Sequence, residues 1–298
     1  MKLSFIGLGV MGQGMALNLA KARERLGFTF QAYARKSSEL EPFRQPGVET
    51  TSDLKDVCQS DVIFFCLPDT KVVTDIIGQL RPGLHKGQIL LDCSTIDYEA
   101  ARQLGESLEQ DDIGFMDCPI SGHQKKAQEG TLTIMCGGRQ ETFQKVKPLL
   151  DCCGSVVLYM GGYGSGQLTK MINNCAFNIC IASFCELMPL GVKMGLDPEA
   201  LGTILMNGSG SSYASKSLIP KILEGDFSYG FSLDRAYKDM KRMTELCVKE
   251  RVPLPTLNGT MATYQLALQK GLGDQYKGAM IRFYEDLLRV ACRKKAGK

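Results

Sequence analysis

Histidine is nearly absent from this chain of 298 residues, with only His85 and His123 present. With only two imidazoles, neither a histidine-rich zinc site nor a hydrolytic triad is expected, and no metal centre is anticipated. Cysteine is plentiful at twelve, yet no pair has C-x-x-C spacing. Cys66, Cys93, Cys136 and Cys180 fall in core-like runs, so the thiols read as small buried hydrophobes of a reducing compartment rather than as disulfides. Neither sign of charge prevails, and a formal net charge of +3 is too small to argue for nucleic acid. No run of about 18 apolar residues offers a membrane span, and Lys2 leads at once into a strand-like run rather than a secretory leader. With 44% hydrophobic and 22% charged residues, a soluble, cytoplasmic protein is expected, long enough for two domains.

What is present begins immediately. Lys2-Leu3-Ser4-Phe5-Ile6 runs into Gly7-Leu8-Gly9-Val10-Met11-Gly12, and Met15-Ala16-Leu17-Asn18-Leu19-Ala20 continues with helical composition. Strand, glycine turn and helix start in that order make the G-x-G-x-x-G a dinucleotide-binding fingerprint. Glycine lets the backbone approach a pyrophosphate, and the helix N-terminus offers it unpaired N–H groups. Gly7, Leu8, Gly9, Val10, Met11 and Gly12 are the first cofactor candidates. A second strand is expected over 28–34. Where an NAD site would place Asp or Glu near its end, this chain has Arg35-Lys36-Ser37-Ser38, with no carboxylate before Glu39. Arg35, Lys36 and Ser37 suit a 2′-phosphate, the guanidinium as a planar fork and the ammonium as a mobile charge, so NADPH is expected over NADH. Read alone, these residues also describe a solvated basic turn.

Further nearly continuous apolar runs at 61–67, 88–93, 114–117 and 131–136 alternate with helical segments, the pattern of a doubly wound, mostly parallel Rossmann sheet covered on both faces. Leu67-Pro68 and Ser94-Thr95 lie just past strand ends, where open α/β sheets hold ligands. Leu67, Pro68 and Thr95 are therefore cofactor candidates, although turn chemistry or helix capping would also account for Thr95. Near residue 162 the pattern changes. One long helix is expected from 165 to 193, irregular near Pro189, with further helices at 197–206, 233–249, 253–270 and 273–294. The expected fold is α/β: an N-terminal Rossmann domain over 1–162, then an all-helical substrate and oligomerisation domain over 163–298 that includes the connecting helix. On that helix Ile172, Ala176, Ile179, Cys180, Ser183 and Leu187 recur at helical spacings, which suggests a homodimer or homotetramer. The basic end, 293–298, reads as a frayed and solvated terminus.

Two motifs carry chemistry. In Asp117-Cys118-Pro119-Ile120-Ser121-Gly122-His123, Pro119 stiffens a turn while Ser121, Gly122 and neighbouring N–H groups can cradle a carboxylate. In Gly164-Ser165-Gly166-Gln167-Leu168-Thr169-Lys170-Met171-Ile172-Asn173-Asn174, helical spacing puts Lys170 and Asn174 on one face. A lysine so placed can give a proton to a carbonyl oxygen while the amide holds the lysine or the substrate, though a lone lysine is more often a surface residue.

Taken together, these residues resemble the β-hydroxyacid dehydrogenase family, which includes 3-hydroxyisobutyrate dehydrogenases, tartronate semialdehyde reductases and glyoxylate/succinic semialdehyde reductases. The resemblance spans nearly the whole chain: 7–12 with Asn18-Leu19, 117–122 with Gly130-Thr131-Leu132, 164–174, and Lys238-Asp239-Met240. It implies hydride transfer between a nicotinamide and the carbon bearing the hydroxyl of a small carboxylate-containing substrate, with no metal required. By the same resemblance Lys170 is the catalytic acid and base, Ser121, Gly122 and His123 lie on the carboxylate loop, Asn174 orients the substrate, and Lys238 belongs to the nicotinamide side. Three features depart from the pattern. His123 stands where a second glycine is common, 22–27 reads as a long connection, and Ser211 within Asn207-Gly208-Ser209-Gly210-Ser211-Ser212-Tyr213 replaces an often basic residue. A 6-phosphogluconate-type enzyme would need a larger helical domain. A noncatalytic NADP-binding module would not need Lys170 and Asn174, and an imine reductase would be expected to replace the lysine.

Overall fold

The structure is a computed structural model describing residues 1–294. The chain divides into two compact units, Met1–Lys170 and Met171–Lys298.

In the first unit the elements follow in the order β1 (Lys2–Ile6), α1 (Val10–Leu26), β2 (Thr29–Tyr33), β3 (Val48–Thr51), α2 (Leu54–Val57), β4 (Val62–Phe65), α3 (Thr70–Leu80), β5 (Ile89–Asp92) and α4 (Tyr98–Glu109). β6 (Gly114–Asp117), β7 (Ile120–Ser121), α5 (Gln124–Glu129), β8 (Leu132–Gly138), α6 (Gln140–Leu150) and β9 (Gly154–Gly161) complete it. Strands β3-β2-β1-β4-β5-β6 lie side by side and parallel, β8 runs antiparallel to β6 and β7, and β9 joins β8 in parallel. This is the doubly wound Rossmann order, and strand order reverses beside β1, which makes the crevice past the carboxyl ends of β1 and β4 a ligand position. The strands read as unbroken apolar runs because successive side chains enter different cores. Val62 and Phe64 pack on one face of the sheet with Phe5 and Phe30, while Ile63 and Phe65 pack on the other with Ile6, Leu90 and Phe115. Phe5 and Phe64 stack with centroids 5.7 Å apart.

Three strands escape the apolar-run criterion, β7 because it is only two residues long. β3 is an edge strand whose Glu49 and Thr50 are exposed, and β9 begins and ends on glycine with Val156 and Leu158 exposed. The segment 22–27 is not a long connection: α1 continues through Leu26 and Gly27 closes it in the left-handed region at φ 68°.

α7 (Ser165–Lys193) opens in the first unit and continues without a break through Pro189 into the second, where α8 (Pro198–Asn207), α9 (Tyr213–Glu224), α10 (Leu233–Glu250), α11 (Pro255–Gln269) and α12 (Ile281–Leu288) follow. α9 is absent from the sequence reading because it follows the Gly/Ser segment. There Ser212 closes a reciprocal capping box with Ser215, which starts a helix despite the loop-like composition before it. The helix expected over 273–294 is shorter: a 3-10 turn at Lys277–Met280 precedes α12, and Arg289 ends it at φ 55°. Nor is the basic end frayed where it is described. Arg293 donates from Nη2 to Glu285 at 2.9 Å, and the Lys294 N–H donates to the Leu223 carbonyl at 2.9 Å. Residues 295–298 lie outside the described residues.

The absence of a membrane-length apolar stretch needs correction, since α7 has 29 residues and a window of mean hydropathy 1.6, enough to cross a bilayer by length and composition. Its Ile181, Phe184, Cys185 and Met188 nonetheless pack with Leu218, Ile222, Leu233, Met240 and Tyr264, which makes it the core helix of the second unit. All twelve cysteines are free thiols, and burial pushes Cys66 up to about 12.

Candidate active site

The glycine turn follows β1 directly. Gly7 has φ 100°, and a Cβ there would overlap the Cys66 carbonyl. A Cβ on Gly12 would overlap the Gly7 carbonyl, whereas one on Gly9 would meet nothing within 4 Å. Two glycines therefore fold the turn, and the third leaves open space before the helix. Gly9 caps α1 without a side-chain bond, and the first turn holds no acidic residue. The first N–H groups of the helix thus present an uncompensated positive end, a geometry that fits a pyrophosphate.

Arg35 and Lys36 emerge exposed just beyond β2. Arg44, which the sequence reading passed over, joins them. Its Nη2 donates to Ser37 Oγ at 3.0 Å and its Nη1 lies 3.3 Å from Glu41, the chain being turned back by a 3-10 helix over Ser37–Phe43.

At the ends of β4 and β5, the Leu67 N–H donates to Ser94 Oγ at 2.8 Å, so only the carbonyl of Leu67 remains to serve a ligand. Pro68 is exposed, and Asp69 caps α3 through the Val72 N–H. Thr95 is exposed and is not the cap of α4, a role that Asp97 fills through the N–H groups of Glu99 and Ala100. Gln167, 2% exposed, grips the backbone on both sides of Thr95: its Nε2 donates to the Ser94 carbonyl at 2.8 Å and its Oε1 accepts from the Ile96 N–H at 3.1 Å. Asp92 Oδ1 accepts from the Ser94 N–H at 3.0 Å, while its Oδ2 is buried without a hydrogen-bond partner, and burial pushes the carboxyl up to about 6.

β6 ends on Asp117, fully buried. Its two oxygens accept from the N–H groups of Gly164 at 2.8 Å and Gln167 at 2.9 Å, which fastens the start of α7 to the sheet. Burial pushes this carboxyl up to about 7, against the opposing pull of those two N–H bonds. A Cβ on Gly166 would overlap the carbonyls of Asp117 and Met135, so the helix meets the sheet backbone to backbone. Lys170, half-buried, follows on the next turn.

Ser121 pairs with Thr133 across β7 and β8, and Gly122 turns at φ 145°. His123 is exposed and opens α5 without a side-chain cap. α5 is held against α1, since Asn18 Nδ2 donates to the Ala127 carbonyl at 2.9 Å and a Cβ on Gly14 would lie 2.8 Å from the Ala127 backbone.

In the second unit, half-buried Asn174 donates from Nδ2 to Asp239 Oδ2 at 3.0 Å, a contact that gives Asp239 a place the sequence reading had not. Lys238 is exposed, 3.8 Å from Asp234. Ser211 is exposed beside the cap of α9. Farther along α7, Asn178 accepts from the buried Lys277 ammonium at 2.5 Å, and that ammonium stands 4.0 Å over the Phe177 ring.

A Rossmann sheet with a phosphate-ready turn defines a dinucleotide-binding protein. Comparison with known proteins narrows the class. Residues 2–161 match the NAD binding domain of 6-phosphogluconate dehydrogenase, and residues 164–284 match the family described as NAD-binding of NADP-dependent 3-hydroxyisobutyrate dehydrogenase. The chain is 32% identical over 295 residues to 2-(hydroxymethyl)glutarate dehydrogenase of Eubacterium barkeri, covering 97% of each chain. It is 33% identical to the mitochondrial 3-hydroxyisobutyrate dehydrogenase of Rattus norvegicus, over 90% of this chain and 82% of the other. The crystal structure of 3-hydroxyisobutyrate dehydrogenase from Salmonella typhimurium shares the fold with a TM-score of 0.82 at 22% identity, over 95% of this chain and 99% of that one. The chain belongs to the β-hydroxyacid dehydrogenase family.

Proposed function

We propose that this protein reduces a small carboxylate-bearing semialdehyde to the corresponding hydroxyacid, reversibly and with NADPH preferred, and that Lys170 relays the proton. The observation that carries this reading is the attachment of the Lys170 helix to the sheet's carboxyl edge, through Asp117 at the end of β6 and Gln167 around Thr95. The lysine thereby belongs to the same folded unit, and the same sheet edge, as the glycine turn. Bound nicotinamide supplies or accepts the hydride. Lys170 Nζ gives its proton to the carbonyl oxygen as charge develops there, and takes it back in the oxidation direction. Ser121, Gly122 and His123 hold the substrate carboxylate, Asn174 orients the substrate with its amide fixed by Asp239, and Lys238 serves the nicotinamide side. Arg35, Lys36, Ser37 and Arg44 receive the 2′-phosphate. Twelve free thiols suit a reducing compartment such as the cytoplasm, and the exposed apolar residues of α7 support a homodimer or homotetramer.

The test pairs a panel of small semialdehydes and hydroxyacids with NADPH and NADH. Against the best substrate, Lys170→Ala should lose roughly 10²–10⁴-fold in kcat while NADPH titration by fluorescence stays nearly unchanged. Lys170→Arg should also be slow, because guanidinium holds its proton near neutral pH. Turnover by the alanine variant at the wild-type rate would end this reading.

A further inference from the structure

Gln167 is a buried amide that saturates both its functional ends on backbone. It donates to the Ser94 carbonyl at 2.8 Å, accepts from the Ile96 N–H at 3.1 Å, and gives its own backbone N–H to Asp117 at 2.9 Å. Three pieces of chain therefore converge on one residue: the β5 turn on both sides of Thr95, the end of β6, and the first turn of α7. Lys170 stands three residues farther along, on the helix face neighbouring Gln167. The same knot reaches β4, because Ser94 Oγ accepts from the Leu67 N–H at 2.8 Å and the Ser94 N–H donates to Asp92 at 3.0 Å.

The geometry points to Gln167 as a positioning residue for the reaction, fixing Lys170 relative to the Thr95 turn through its two amide bonds and the Asp117 clamp. This rests on the reading of Lys170 as proton relay. A helix start could be fastened by apolar packing alone, and a turn could be closed by its own side chains. What an amide adds is a rigid planar bridge with one donor and one acceptor, which sets the helix and the turn at a fixed separation and leaves neither backbone group unpaired. Proton transfer depends steeply on such separations, and a misplacement of about 1 Å can cost on the order of 100-fold in rate.

A double-mutant cycle with Lys170 tests the idea. Gln167→Met keeps the volume and removes both bonds. Gln167→Glu keeps the acceptor for Ile96 but sets an oxygen against the Ser94 carbonyl. In the presence of Lys170, each should lower kcat roughly 10- to 100-fold, with NADPH affinity by fluorescence titration little changed. In the Lys170→Ala background the same substitutions should cost almost nothing further, because a misplaced relay cannot be lost twice. Should Gln167→Met melt below the assay temperature, Gln167→Glu carries the comparison. A slow Lys170→Ala enzyme in which Gln167→Met or Gln167→Glu still exacts its full factor overturns the positioning role alone. A Lys170→Ala enzyme at the wild-type rate overturns the relay reading, and this inference with it.

Discussion

Arg44 donates to the Ser37 hydroxyl across 3.0 Å, although seven residues separate them, because the 3-10 helix over Ser37–Phe43 folds the chain back beside the end of β2. A third cation thereby joins Arg35 and Lys36 at the turn where a ribose carboxylate partner would stand in an NAD site. Arg35→Asp should weaken NADPH far more than NADH, by about 10-fold or more, since a charge-assisted phosphate contact becomes a repulsion. Arg44→Ala should act in the same direction more mildly. Paired titrations of both cofactors decide it, and equal losses for the two would remove the 2′-phosphate assignment.

Much of this was legible in the sequence where one local rule dominated. Gly7, Gly9 and Gly12 were legible because each does a distinct backbone task in one turn, and the strands through Phe5, Phe64 and Phe115 because burial on both faces leaves no polar position. The contributions of Arg44, Gln167 and Asp239 were not, because each acts through a contact made by tertiary folding: Gln167 reaches back 73 residues to Ser94, and Asp239 meets Asn174 across 65. Thr95 shows the converse. Its capping role was plausible by composition, yet Asp97 two residues on takes the cap. β3 and β9 were missed for another reason, since edge strands with exposed faces lack the continuous apolar signature that marks a central strand.

Asp92 predicts a pH dependence of stability. Burial raises its carboxyl from 3.8 to about 6, so the folded chain keeps a proton that the unfolded chain releases at lower pH. Stability from this group is complete below the unfolded value, declines as pH rises toward about 6, and is flat above, the sign that follows when the native state binds the extra proton. Asp117, raised to about 7, extends the same decline. Asp92→Asn should remove its share, on the order of 1–3 kcal/mol, so the variant's melting temperature should gain on that of wild type as pH rises from about 3.8 to about 6. A melting difference that stays constant across that range would contradict the assignment.

The contact of α1 with α5 ties the helix of the glycine turn to the segment after Ser121-Gly122-His123, the residues proposed to hold the substrate carboxylate. Gly14→Ala would put a Cβ 2.8 Å from the Ala127 backbone, where no flexible side chain can yield, so α5 must move. Overpacking of this kind costs about 1–3 kcal/mol. Because α5 begins immediately after Ser121-Gly122-His123, KM for the carboxylate substrate should rise more than KM for NADPH. Asn18→Ala, which deletes the 2.9 Å bond to Ala127 without adding bulk, should reproduce the KM effect with a smaller loss of stability. Unchanged substrate KM in both variants would separate the loop from this contact.

The exposed side of α7 bears on assembly. Its buried residues include Cys175, Asn178, Ile181, Ala182, Cys185 and Met188, whereas Ile172, Leu187 and Leu190 are 54%, 56% and 49% exposed, and Met194, in the turn just past its end, is 76% exposed. Of the stripe expected to pack between subunits, Ile172, Ala176 and Leu187 are exposed and Ile179, Cys180 and Ser183 half-buried, so burial within one chain does not account for it. Apolar residues spaced along one helix in this way favour pairing with a second copy, and closed symmetry would bring the same face to itself. Burying one leucine contributes about 1.5–3 kcal/mol, and a glutamate in its place brings an unpaired charge into the contact. Leu187→Glu should therefore shift the protein toward monomer, and a double Leu187→Glu, Leu190→Glu variant should do so at every accessible concentration. Light scattering over a concentration series measures this directly. A monomeric wild type throughout the series would show that this face has no second copy to meet.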